Sequence, residues 1–121
     1  MPIPIPANVA VLSADTLYFG GVAPFDDNGE VIAHGDVAAQ TDRIFDRMEA
    51  YLSKAGMTLH NLTFVTVYLP SLDYYALMNE AYARRMLQPF PARKLVVTQL
   101  ARDGMVVEMS GIATRAIKIV L

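Results

Sequence analysis

Apolar and polar positions come in blocks along the chain, and the period within each block predicts its element. Val9–Leu12 and Leu17–Gly21 are apolar runs separated by the turn-forming Ser13-Ala14-Asp15-Thr16, which predicts a β-hairpin. Asp26-Asp27-Asn28-Gly29 is a second turn signal, and Glu30–Ala33 follows it as a short strand. Asp36 is suited to cap a helix in which Val37, Ile44, Met48, Leu52 and Ala55 recur at helical spacing, with Phe45 and Tyr51 beside them. Lys54 in the last turn and Gly56 just past it form a common helix ending.

Leu62–Leu69 (LTFVTVYL) is β-branched and aromatic, hence a strand. Ser71 or Asp73 caps a second helix through about Met86, with Tyr75, Met78, Ala81, Tyr82 and Met86 as its buried stripe, and Pro89 and Pro91 end it. Lys94–Leu100 and Met105–Leu121 read as two final strands joined by the Ala101-Arg102-Asp103-Gly104 turn. Gly111 is a candidate bulge or close-approach point. The proline-rich Met1–Ala7 is expected to form an extended arm. The order β-β-β-α-β-α-β-β predicts a single α+β domain over residues 1–121, with two helices able to cover one face of the sheet. Leu62, Phe64 and Tyr68 on one face of the central strand are matched by Val65, Val67 and Leu69 on the other. A strand apolar on both faces asks for cover on both, and a second copy of the chain is the economical cover.

Composition narrows the class. Hydrophobic residues make up 54% and charged residues 18% of the 121, against typical values of about 45–50% and 25%, which excludes intrinsic disorder. The net charge of −2, with no basic run, argues against nucleic acid as a partner. Cysteine is absent, which removes disulfides and thiolate chemistry. No apolar run reaches the ~18 residues of a membrane span, and MPIPIPANVA lacks the pattern of a signal peptide. A soluble, cytoplasmic protein is expected. His34 and His60, 26 positions apart, read as surface residues and not as metal ligands. No nucleotide-binding glycine fingerprint, phosphate loop or serine elbow is present, so no cofactor and no metal is expected.

Two residues draw attention as chemistry. Arg93, in Pro89-Phe90-Pro91-Ala92-Arg93, sits where a proline-stiffened turn feeds an apolar strand. Its planar fork suits a carboxylate ligand, or alternatively a structural pair with Asp73 or Asp103. Glu108 lies among valines and methionines. If buried, its pKa rises and suits acid–base work; if outward, it is a solvated surface residue. Ser110, two residues on, shares its face. Arg84-Arg85 reads as a solvated helix face.

These segments together resemble the YjgF/RidA family. The resemblance rests on Tyr18-Phe19-Gly20-Gly21-Val22-Ala23-Pro24, Asn28-Gly29-Glu30, Asp36-Val37-Ala38-Ala39-Gln40-Thr41, Asn79-Glu80-Ala81-Tyr82 and Phe90-Pro91-Ala92-Arg93, in that order and spacing, from about residue 9 to 115. It implies a chorismate-mutase-like fold, a six-stranded mixed sheet with two helices on one face, assembled as a homotrimer with ligand clefts between subunits. It also implies hydrolysis of reactive enamines and imines such as 2-aminoacrylate to a 2-keto acid and ammonia, with Arg93 clamping the substrate carboxylate and Asn79, Phe19 and Gly20 near the pocket.

Several positions depart from the family pattern as aligned here. The glutamate that positions the attacking water falls on Ser110, and the cysteine two residues after the arginine is Leu95. A pocket serine is Phe19, the polar residue expected after the following glycine is Gly21, and the N-terminal tyrosine of the substrate loop has no counterpart. Glu108 is then the available stand-in for acid–base work. The expectation is a deaminase or related hydrolase acting on a small carboxylate-bearing metabolite, or a trimer that binds a keto acid or aromatic acid without turnover. Ribonuclease activity, attributed to some relatives, fits poorly with the acidic balance.

Overall fold

The computed structural model describes residues 5–121; residues 1–4 of the expected proline-rich arm lie outside them. The expected hairpin is β1 (Ala10–Ser13) and β2 (Thr16–Val22), turning through Ala14 at φ 51°. Helix α1 (Val37–Lys54) begins at Asp36, whose Oδ1 accepts the Ala39 N–H at 3.0 Å, and it ends before Gly56 at φ +71°. Next come β3 (Leu62–Leu69), α2 (Tyr75–Arg85), β4 (Ala92–Val97) and β5 (Glu108–Thr114). Ser71 caps the single 3-10 turn that leads into α2.

The sheet order is β1-β2-β5-β3-β4. β3 and β4 run parallel through the α2 crossover, and the other pairs are antiparallel. Ile44, Phe45, Met48 and Leu52 of α1, with Met78 of α2, close over Val65, Val67, Leu69 and Met109 of the sheet. Arg85 locks the two helices together. Its guanidinium donates to Asp46 at 2.7 Å, Glu49 at 3.2 Å and the Asp42 carbonyl at 2.9 Å, while its carbon lies 5.6 Å from the centre of the Phe45 ring. Arg85 is therefore a clamp and not the solvated residue its sequence position suggests. Tyr75, expected in the buried stripe, is exposed.

The sheet of the described residues has five strands where the sequence suggests six. Glu30–Ala33 makes only one bridge, Val31 to Phe25. The reason is Gln40, fully buried on α1. Its Nε2 donates to the carbonyls of Ile32 (3.1 Å), Ala33 (3.2 Å) and Gly104 (2.7 Å), and its Oε1 accepts the Val106 N–H at 2.8 Å. One amide thus satisfies the backbone of two loops that would otherwise need a ladder. The same bonds explain why β5 starts at Glu108 and not at Met105. It stops at Thr114, whose β2 partner, Thr16, is that strand's first residue. β4 covers Ala92–Val97 and not Lys94–Leu100, because its pairing runs only to the end of β3, at Leu69 against Val97.

Both helices lie on one face. The other face presents Phe64, Thr66 and Tyr68 of β3 beside Ser110 and Ile112 of β5, and among the described residues no helix lies over it. Gly111 is a close-approach point: an added Cβ would come within 2.6 Å of the Phe64 carbonyl oxygen. No described helix is long and apolar enough to cross a membrane.

Candidate ligand-binding cleft

A helix places residues i, i+3 and i+4 on one side, so Asn79, Tyr82 and Ala83 of α2 form a common wall. Phe90, Pro91 and Arg93, the last on β4, complete the lining of an open cleft of about 340 Å³. Among the described residues Arg93 is the sole charged one lining this cleft. Its guanidinium carbon sits 4.8 Å from the centre of the Tyr82 ring, and Nη1 points at Met78 Sδ at 4.0 Å. A guanidinium over an aromatic face is attracted to the ring's negative quadrupole and held in orientation. Among the described residues no carboxylate lies within ion-pair distance of it, so the alternative pair with Asp73 or Asp103 is not formed. Burial pushes the Tyr82 hydroxyl up to about 12, with Arg93 opposing in part, so the ring stays neutral. An apolar slot with one oriented cation and one amide suits a small carboxylate with an apolar body.

Sheet register decides which of the other expected residues can join. Arg93 pairs with Val65, a core residue, and so projects on the helix side. Glu108 pairs with Tyr68 and Ser110 with Thr66, both on the uncovered side. Glu108 and Ser110 do share a face, but in one chain it is the face opposite Arg93. Glu108 is half-buried, and that burial raises its pKa above the ordinary value. No ion pair among the described residues offsets the shift.

Of the expected binding residues, Arg93 and Asn79 come together. Phe19 is buried in the core, edge-on to Tyr51 at 6.4 Å, and does not line the cleft. Leu95 packs against the core from β4, opposite Val67. Gly20 lies in an irregularity of β2, its N–H donating to the Val9 carbonyl at 2.7 Å. Tyr82, Phe90 and Pro91 line the cleft as well, although the sequence pattern assigns them only to a buried helix stripe and a turn. The i, i+3 spacing of Asn79 and Tyr82 was the available signal. His34 and His60 are both exposed, and no cluster of His, Cys, Asp or Glu among the described residues could hold a metal.

Known proteins resemble this chain in sequence and in overall fold. The family model described as Endoribonuclease L-PSP matches residues 6–115. The 3-aminoacrylate deaminase RutC of Acinetobacter baylyi is 32% identical over 113 residues, covering 93% of this chain and 90% of that protein. A RutC family protein of Pyrococcus abyssi is 36% identical over 114 residues, covering 93% and 89%. The crystal structure of RidA from the Antarctic bacterium Psychrobacter superimposes with a TM-score of 0.84 at 27% identity, covering 93% of this chain and 91% of that one. The chain belongs to the YjgF/RidA family.

Proposed function

We propose that this protein is an enamine/imine deaminase for small carboxylate-bearing substrates, working as a homotrimer whose clefts draw on two subunits. The observation that carries the reading is the cleft itself: an apolar slot in which, among the described residues, Arg93 alone is charged and has no carboxylate paired with it. A relative named as a 3-aminoacrylate deaminase supports the substrate class, since 3-aminoacrylate carries an amino group and a carboxylate on one small skeleton.

Arg93 takes the substrate carboxylate through a bidentate pair, and Asn79 offers an amide to the remaining polar atoms. Glu108, protonated more readily than an exposed glutamate, donates its proton to the imine nitrogen as water adds to the carbon. The C–O bond forms while the C=N π pair moves to nitrogen. One proton of the added water passes to the amine nitrogen, which makes it an ammonium leaving group. The Glu108 carboxylate takes the remaining hydroxyl proton of the carbinolamine as the C=O bond forms, the C–N pair leaves with nitrogen, and ammonia departs from a 2-keto acid. Ser110 can hold the water by hydrogen bonds but cannot serve as the base near neutral pH. Because Arg93 and Glu108 point to opposite faces of one sheet, the Glu108 that meets a bound substrate belongs to a second copy. That copy also covers the apolar side of β3.

The test is the hydrolysis rate of 2-iminopropanoate generated in situ, with wild type, Arg93→Ala and Glu108→Gln. Acceleration by wild type, with kcat/KM reduced roughly 100-fold or more in each variant, is the expected result. No acceleration by wild type, with keto acids still bound through Arg93, would replace the enzyme by the binding module.

A further inference from the structure

Between Phe19 and Val22, β2 advances three residues while β5 advances two, from Gly111 to Met109. Gly20 and Gly21 therefore oppose the single residue Ser110, as in a β-bulge, a feature that re-aims neighbouring side chains and is common beside active sites. Gly21 is not in the left-handed region, so its backbone does not require glycine. The space above it does. A Cβ at position 21 would stand 2.7 Å from Glu108 Oε1 and 3.2 Å from Glu108 Cδ.

We propose that Gly21 is a positioning residue: its missing side chain is the seat of the Glu108 carboxylate, and it fixes where that group's proton is delivered. The proposal rests on the deaminase reading for its consequence, but not for its geometry. The seat is needed because no ion pair among the described residues holds the carboxylate in place. The opening over glycine is the space the carboxylate occupies. The obstructed atom is the free end of a flexible side chain, so Gly21→Ala moves Glu108 without forcing the backbone apart. Function carries the cost and folding does not.

Four proteins test this: wild type, Gly21→Ala, Glu108→Asp and the double variant. Gly21→Ala is expected to keep the melting temperature and assembly of wild type. Its kcat falls about tenfold or more while KM stays within about twofold, as for a misplaced acid–base with intact binding. Aspartate is one methylene shorter and clears the new Cβ, so the double variant turns over faster than Gly21→Ala, although Glu108→Asp alone is slower than wild type. Wild-type kcat in Gly21→Ala, or losses that simply multiply in the double variant, overturns the proposal. A second readout is independent of turnover: the 13C carboxyl titration of Glu108. The titratable groups on its face are Tyr68 directly across, Lys94 on β4 and Tyr18 farther along β2, and Gly21→Ala leaves all three in place. The variant should bring the Glu108 titration down toward the ordinary value, because the displaced carboxylate enters water. If wild type proves inactive, the deaminase reading fails while this titration still decides the seat, and an unmoved curve refutes it.

Discussion

The two faces of the sheet hold their chemistry in opposite ways. On the helix-covered face Arg93 is stacked on Tyr82, beside Met78, and walled by Phe90 and Pro91, so its orientation is built before any ligand arrives. On the uncovered face Glu108 has a place to lie, over Gly21, and no ion pair among the described residues holds it. One face is finished within the chain and the other awaits a neighbour. Under the proposed deaminase reading, binding is preorganised in a single subunit, while turnover depends on assembly.

The largest effect should come from disturbing the unfinished face alone. Ile112 lies beside Phe64 and Tyr18 in the sheet register, in the middle of that face. Ile112→Asp puts a charge where a second copy would bury it, at a cost of several kcal/mol per subunit. The expected outcome is a folded monomer by light scattering, with turnover lost while Arg93 and Glu108 are both still present. A monomer that retains full activity would end the two-subunit account.

A middle-sized effect separates the two kinds of glycine. An added Cβ at Gly111 meets the Phe64 carbonyl, part of the central β3–β5 ladder, and neither can retreat without breaking pairing. Gly111→Ala is expected to destabilise the fold by about 1–3 kcal/mol, seen as a melting temperature lower by roughly 4–20 °C. Gly21→Ala, whose obstruction is a loose carboxylate, should melt as wild type does. Equal melting of the two variants would erase the distinction.

How much of this was legible in the sequence follows the same division. Periodicity and caps identify α1, β3 and the hairpin, because a stripe at Ile44, Met48 and Leu52 or an Asp at the helix start acts locally. The role of Gln40 was not legible: a glutamine inside a helical pattern looks like surface until two distant loops, at Ile32–Ala33 and Gly104–Val106, fold onto it. Arg85 looked solvated for the same reason, its partners lying about 40 residues away on α1. Arg93 and Glu108 were each recognisable as chemical residues, but their opposite faces depend on β4 and β5 both pairing with β3, and register is a property of three strands together. Gly21 is legible last, since its contribution is an absent atom defined by a carboxylate 87 positions away.

The smallest effect tests the uncovered carboxylate as a stability element. Burial raises the Glu108 pKa in the folded protein above its unfolded value. Below both values the group is protonated in both states and costs the fold nothing. As pH rises past the unfolded value, about 4.3, the unfolded chain ionises first and stability declines until the folded carboxyl ionises as well. Glu108→Gln removes this loss, so it should melt above wild type near neutral pH, by a margin that shrinks to nothing near about pH 3. Melting curves of both proteins across that range measure it. A margin of the opposite sign at neutral pH would mean that assembly places a cation beside Glu108, because only a favourable partner makes the charged form the more stable one. The carboxylate would then be held across the subunit boundary as firmly as Arg93 is held within its own chain, and the contrast between the two faces would belong to the isolated subunit alone.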